Sequence, residues 1–484
     1  MPCTTILAGK AATCDGSTLM ARNEDASPGK FNPKRLTVVR PEDQPRHYVT
    51  VRSGLEIELP DDPLRYTAMP NALPDEGIWA AAGVNECNVA MTATETITSN
   101  PRVLGADPIV VNGGIGEEDL VTITLPYIRS AREGVLRLGA LHEKYGTYEK
   151  NGVGFQDVDE LWWFETVGGH HWIARRVPDD CYIVVPNRQS IDYLDLTDAF
   201  GEQKETLCSA DLLQFIDENH LDRTMRGPGE ALAQDRAFDA RAAFGSRSDL
   251  DRVYNNPRAW VIQRRFSPDY CRWDGPDADF GPESADLPWC LVPDRKLTVG
   301  DIKKALSDHY QGTPYDPYGR HGDASLRGMY RPVGVNRNNV MVLTQLRPYA
   351  PADAMALEWI AFGSNVFNEM VPLYANVESA PEYFSCTDSD VTTESFYWAN
   401  RLVGALADAH YPSCVQAIEE YRSAVAADSR ELLRQFESGD GTASRESFNH
   451  LVCMLAKKKT DALLNRILLL ASLEMKNRYS RSDG

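Results

Sequence analysis

Short β-branched and apolar runs, broken by turn residues, dominate the first hundred positions. Residues 4–8 read as a strand, residues 9–16 as a loop with Asp15-Gly16 as its turn, and residues 17–22 as a returning strand. Residues 79–82 and 89–96 read as two more strands, joined by a turn at Gly83-Val84-Asn85-Glu86. The period then lengthens. Behind the loop Gly113-Gly114-Ile115-Gly116, Leu120, Ile123, Thr124, Tyr127 and Ile128 fall at helical spacing. The acids Glu117-Glu118-Asp119 suit the positive end of that helix. Residues 131–145 predict a second helix. Strands return at 162–166, 171–174 and 182–185, residues 208–245 read as helical, and the Pro-, Asp- and Gly-rich tract 267–293 reads as a long loop. The end of the chain is helical in pattern, with helices at 395–410, 413–438 and 444–479. In the last of these, Phe448, Leu451, Leu455, Leu463, Ile467 and Leu470 form one stripe. Few βαβ alternations occur, so the pattern predicts an α+β protein with a mainly antiparallel sheet core and helices on its outer faces.

Composition narrows the function. The chain has 484 residues, 43% hydrophobic and 25% charged, which fits two to three domain-sized units or one large fold with an appendage. Its formal charge of −20 argues against nucleic acid or an anionic membrane as partner, because phosphate binding needs clustered Lys and Arg. Lys457-Lys458-Lys459 lies in a helical pattern and reads as a solvated face. The first residues lack a basic n-region and a long apolar run, and the apolar segment 467–473 is too short to span a bilayer, so a cytoplasmic location is expected. The ten cysteines are scattered with no C-x-x-C pair, which removes zinc-knuckle and thioredoxin readings and leaves most of them as small buried hydrophobes.

Other motifs fall away on chemistry. Gly113-Gly114-Ile115-Gly116 lacks the Lys-Ser/Thr of a P-loop and is followed by acids that repel phosphate. His170 and His171 are adjacent, so on a strand they face opposite ways and would not share one metal ion. Neither H-E-x-x-H nor G-x-S-x-G occurs. No metal or cofactor is expected.

The N-terminus carries the candidate chemistry. If residues 9–16 close a hairpin, Cys3 lies opposite Arg22 or Asn23, and Cys3, Arg22 and Asp25 meet at one strand end. A thiol attacks as its thiolate, which a neighbouring cation such as Arg22 favours. Asp25 would hold Arg22 or an ammonium in place. The base is missing unless Cys3 is the first residue, when its own α-amine, with an unperturbed pKa of about 8, serves. The residues alone leave open a structural reading, with an inert strand thiol and a surface Arg–Asp pair.

The opening Cys3-Thr4-Thr5-Ile6-Leu7-Ala8-Gly9-Lys10, followed by Asp15-Gly16-Ser17-Thr18-Leu19-Met20-Ala21-Arg22-Asn23-Glu24-Asp25, resembles the C69 dipeptidase family. These are thiol-dependent dipeptidases of the N-terminal-nucleophile hydrolase superfamily. The likeness continues in Gly83-Val84-Asn85-Glu86, Gly114-Ile115-Gly116-Glu117-Glu118-Asp119-Leu120 and Ser130-Ala131-Arg132-Glu133-Gly134. It recurs in Tyr254-Asn255-Asn256-Pro257-Arg258-Ala259-Trp260, Tyr330-Arg331-Pro332-Val333 and Tyr397-Trp398-Ala399-Asn400-Arg401-Leu402. The resemblance implies a four-layer αββα sandwich, with the nucleophilic cysteine at a strand end between two stacked antiparallel sheets. Residues 1–385 would form the catalytic domain and 386–484 a helical extension packed on it.

The related penicillin V acylases and bile salt hydrolases share a Cys, an Arg-x-x-Asp, an oxyanion Asn and a later Arg. Carried over, these are Cys3, Arg22, Asp25, Asn187 and Arg258. Thr94-Glu95 corresponds loosely to a further oxyanion-side position, but the residue type differs and it stays outside the catalytic set. The implied reaction is hydrolysis of dipeptides through a cysteine thioester, without a cofactor. Asn187 and backbone N–H groups would stabilise the oxyanion, and Glu117-Glu118-Asp119 is a candidate cap for the substrate ammonium. Alternatives are an acylase of the penicillin V or bile salt type, or an inactive relative. Small peptides are the expected partners, and the C-terminal helices are available for a homo-oligomer interface. One departure stands out: the chain begins Met1-Pro2-Cys3, so both preceding residues must be removed to free the α-amine of Cys3.

Overall fold

A computed structural model describes residues 3–27, 29–73, 76–93, 95–227, 229–320, 322–439 and 443–475. Two antiparallel sheets dominate it. One has seven strands in the order Cys290–Leu291, Tyr182–Val185, Cys3–Ala8, Thr18–Asp25, Asn338–Leu346, Ala356–Phe362 and Val371–Tyr374. The other has nine. Its path runs Thr206–Cys208, Trp172–Arg176, Leu161–Thr166, Asn151–Gln156, Ala90–Thr92, Ala80–Asn85, Tyr66–Pro70 and Thr37–Val39, with Glu95–Thr96 also paired to Asn151–Gln156. The α+β class expected from the pattern is what forms.

Apolar alternation decides which faces are covered. Leu7 and Met20, from the first two strands, pack with Val84, Ala90 and Trp163 of the second sheet. The approach is close enough that a Cβ on Gly154 would lie 2.7 Å from the Met20 sulfur. Polar groups also cross the gap: Gln156 Nε2 donates to Thr18 O at 2.7 Å, and Thr67 Oγ1 to Glu358 Oε1 at 2.9 Å. On its other face the first sheet buries Ile6, Ala8 and Ala21 with Trp260 and Ile262 of helix Asn256–Phe266 and with Ile302 and Leu306 of helix Val299–Leu306. The second sheet buries Met91, Phe155, Trp162 and Phe164 with Val135 and Leu138 of helix Ala131–Tyr145.

The hairpin register lies two residues beyond the expected Arg22 and one beyond the alternative Asn23, with Cys3 opposite Glu24 and Thr5 opposite Arg22. The cause is the turn. Asp15 accepts from Ser17 N at 3.1 Å and from Ser17 Oγ at 2.9 Å, which holds Ser17 in the loop and delays the returning strand to Thr18. Measured from Arg22, a shift of two leaves every side chain on its expected face, whereas measured from Asn23 a shift of one turns them over.

Other expectations need correction. Gly83, Val84 and Asn85 belong to a strand, and the chain turns after them. A Cβ at Gly83 would sit 2.3 Å from Thr67 O, so this glycine serves close strand approach. The helix expected from Glu117 covers only Leu120–Thr124 and passes into a tight turn at Leu125–Tyr127, where Pro126 cannot donate its share of the helical ladder. Among the described residues, 208–245 hold the short α-helices Leu212–Glu218 and Ala240–Phe244 and a 3-10 turn at Leu232–Gln234, not one long helix. The three C-terminal helices form as Phe396–Ala409, Tyr411–Glu437 and Arg445–Leu473; the expected extension past 475 lies outside the described residues. The buried stripe of the last one is Phe448, Val452, Ala456, Thr460, Leu463 and Ile467, whereas Leu451 is exposed. Among the described residues, no helix is long and apolar enough to cross a membrane.

Glu358 gives the sheet contact a pH signature. Burial holds its carboxyl up at about 8 against an ordinary 4.5, opposed by the Thr67 hydrogen bond. A raised carboxyl pKa means the folded state keeps its proton longer, so stability is lost as pH climbs from about 4.5 to about 8. Glu358→Gln removes that loss. Urea unfolding of the two proteins is expected to match below pH 4.5 and to favour the variant increasingly up to pH 9. Parallel curves across the range would contradict this.

Candidate active site

Cys3 opens the first strand, and period-two alternation sends Cys3, Thr5 and Leu7 to one face of it. Across the hairpin, Glu24, Arg22 and Met20 lie opposite them on the same face. Leu7 and Met20 are core between the sheets, so the same face carries Cys3, Arg22 and Glu24 into the inter-sheet space at the strand end.

There Arg22 Nη2 donates to Cys3 Sγ at 3.0 Å and Nη1 donates to Ala81 O of the second sheet at 2.6 Å. Glu117 Oε1 lies 3.7 Å from Nη2, Glu24 Oε2 3.9 Å from Nη1, and Lys34 Nζ 2.6 Å from Glu24 Oε1. All of these side chains are buried. Burial pushes the Cys3 thiol up to about 12; Arg22 pulls it down, and Glu95 and Glu117 push it up. Glu95, whose Oε2 accepts from Thr5 Oγ1 at 2.8 Å, is held up at about 8 by burial, against the pull of Arg258 and Arg22.

Asn187 arrives from the neighbouring strand. Tyr182–Val185 pairs with the first strand with Val185 opposite Thr5, and continuing that antiparallel register by two residues brings Asn187 opposite Cys3. Asn187 Oδ1 accepts from Cys3 N at 3.2 Å, and its Nδ2 donates to Thr96 O at 3.0 Å. Arg258 stands on the far side of the sheet, near the Pro257-initiated start of its helix. Its Nη1 donates to Cys3 O and, at 2.8 Å, to Thr4 Oγ1. Its Nη2 donates to Asn187 Oδ1 and to Asn255 Oδ1, both at 2.8 Å. Arg258 therefore clamps the backbone of Cys3 and the amide of Asn187, and its bonds do not run to the sulfur.

Asp25 does not hold Arg22. It is paired with Arg331 and accepts from Asn338 Nδ2 at 2.9 Å. Residues three apart on a strand face opposite ways, so Arg22 and Asp25 share an end and not a face. Of the acidic run, only Glu117 is set against Arg22. Glu118 accepts from Tyr148 OH at 2.6 Å, and Asp119 accepts from Tyr48 OH at 2.8 Å and from Gly116 N at 3.2 Å. Thr94 lies outside the described residues.

A sequence model of peptidase family C69 matches residues 2–424. The chain belongs to peptidase family C69. It is 49% identical over 539 residues to a protein of Bifidobacterium longum (strain NCC 2705) named dipeptidase, with all of both chains covered. It is 42% identical to the probable dipeptidase B of Lactococcus lactis, over 99% of this chain and 98% of the relative. With the dipeptidase A of Lactobacillus helveticus it shares 46% identity over 84% of this chain and 82% of the relative.

Within this C69 chain, the residues taken from the sequence leave out Glu24, which faces Arg22, and Lys34, which pairs with Glu24, together with Arg331 and Asn338, which hold Asp25. Glu24 had a signal: two residues from Arg22, it shares the Arg22 face of any strand. Arg331 had only its place in the motif Tyr330-Arg331-Pro332-Val333, without a role, and Lys34 had none, because only folding brings it there.

Arg22→Gln removes the guanidinium hydrogen-bonded to Sγ. The pH at which Cys3 becomes alkylated by iodoacetamide is expected to rise by about one unit or more, since a neighbouring cation favours the charged thiolate. Peptide mapping isolates Cys3 from the exposed Cys14 and Cys386. An unchanged profile in a variant with wild-type Tm would remove Arg22 from control of the thiol.

Proposed function

We propose that this chain is a thiol-dependent dipeptidase in which Cys3, freed of Met1 and Pro2, attacks the peptide carbonyl and forms a thioester. The observation that carries the reading is the double fixing of Cys3: its sulfur by Arg22 and its nitrogen by Asn187. An amide nitrogen following Pro2 has no basic lone pair, whereas the same nitrogen as a terminal amine does. The amine takes the thiol proton, the thiolate adds to the carbonyl, and the ammonium then protonates the leaving amine. Water hydrolyses the thioester with the same amine as base. The names of the relatives favour dipeptides over acyl amides as substrates.

The residue roles follow the contacts. Arg22 favours the thiolate. Asn187 Oδ1 aims the amine, and Arg258 holds Asn187 and the Cys3 carbonyl. The oxyanion role expected of Asn187 needs its Nδ2, which would have to turn from Thr96 O toward substrate. Asp25 pairs with Arg331, which shares the Tyr254 ring with Arg258, so its role is to support the Arg258 clamp at a distance from the thiol. Glu117 is the acid best set to meet the substrate ammonium. We read the packing as a four-layer αββα sandwich, supported by apolar clusters between the sheets and outside each of them. We read residues 1–385 as catalytic and 386–484 as a packed extension, in the cytoplasm. The exposed Leu468, Leu469 and Leu473 of the last helix support an interface with another copy, and light scattering is expected to give a mass above that of one chain.

The deciding measurement is the intact mass of untagged protein, with Cys3 alkylation mapped and dipeptide hydrolysis assayed alongside. Active protein is expected to have lost Met1 and Pro2, and Cys3→Ser to lose about 1,000-fold or more in kcat/KM. A chain that keeps Pro2 and still cleaves dipeptides would sink the α-amine as base.

A further inference from the structure

Remote from Cys3, a cleft of about 560 Å3 opens where helix Val299–Leu306 faces helix Tyr411–Glu437. Its cations come from both walls, Lys303 and Lys304 from one and Arg422 and Arg430 from the other, with Arg265 at the rim. The acids in it are already engaged: Glu369 lies 3.6 Å from Arg422 Nε, and Glu419 3.3 Å from Arg422 Nη1. Arg265 is paired with Asp308. Lys303, Lys304 and Arg430 have no carboxylate within ion-pair distance among the described residues.

Lys303 is the informative one. It is 2% exposed, and its Nζ donates only to neutral oxygens, Ser307 Oγ at 2.8 Å and Asn365 O at 3.1 Å. An ammonium has three protons to place, and a buried cation with no carboxylate at ion-pair distance is expensive. Burial first, then Arg422, push it down to about 7, and the more distant Glu369 and Glu419 oppose them only in part. A second cleft of about 210 Å3 shares Arg265 and Lys304 and adds Arg295 and Lys296, so the positive surface is continuous in a chain of net charge −20.

We infer that this cleft binds a small, multiply charged oxyanion of the phosphate class, seated between Lys303, Lys304 and Arg430. Guanidinium and ammonium donors from two helices suit such an anion, which would add to the partial counter-charge that Glu369 and Glu419 give Lys303. The helix carrying Lys303 also touches the strand of Arg22: Leu306 O accepts from Asn23 Nδ2 and from Asn365 Nδ2, each at 2.8 Å.

The test is thermal unfolding and titration calorimetry of the full chain with inorganic phosphate and, separately, pyrophosphate, at ionic strength matched with sodium chloride. A saturable rise in Tm is expected with at least one anion and not with chloride. The exposed double variant Lys304→Ala/Arg430→Ala is expected to keep the wild-type Tm without anion and to bind at least about tenfold more weakly, with Lys303→Met weakening it further. No saturable binding of either anion, or equal binding by the double variant, would overturn the inference.

Discussion

A guanidinium taken out of water needs an acceptor on each edge and a countercharge nearby, and Arg22 sets this requirement for the whole centre of the molecule. It is fully buried between two sheets. Its acceptors come from both of them, the sulfur of Cys3 and the carbonyl of Ala81. Its carboxylates come from its own strand, as Glu24, and from the loop before helix Leu120–Thr124, as Glu117. Glu24 in turn requires Lys34. Removing one member of such a set strands the others without compensation, so the set behaves as one unit.

The second requirement is a fixed backbone at Cys3. A strand end normally frays, yet here the carbonyl of Cys3 is gripped by Arg258 and its nitrogen by Asn187. Arg258 is supplied by a helix on the outer face and Asn187 by a neighbouring strand. Cys3 is thus fixed by a helix and by a neighbouring strand, which also meet each other through Arg258 Nη2 and Asn187 Oδ1. Desolvation opposes thiolate formation, and Arg22 counters it in part.

Asp25 and Arg331 extend this support outward. The sequence placed Asp25 at the strand end with Arg22, but its contacts are with Arg331 and Asn338. The strand Asn338–Leu346, which the pattern reading passed over, lies in the middle of the first sheet and carries one of these contacts. It is buried along its whole length, so it lacks the polar alternation that marks a half-exposed strand.

The sequence by itself determined what is local. Period-two runs set the hairpin of Cys3 and Arg22, the apolar spacing set helix Ala131–Tyr145 and the C-terminal helices, and the order of motifs carried the family likeness. Alternation put Cys3, Thr5 and Leu7 on one face of the first strand, and stacking decided that this face meets the second sheet. The tertiary structure alone decided the partners. Lys34, Ala81, Asn187, Arg258 and Arg331 reach the N-terminal strands across separations from a handful of residues to more than three hundred. Burial and charge balance choose among such groups only once the sheets have stacked, and neither is a periodic property of the chain.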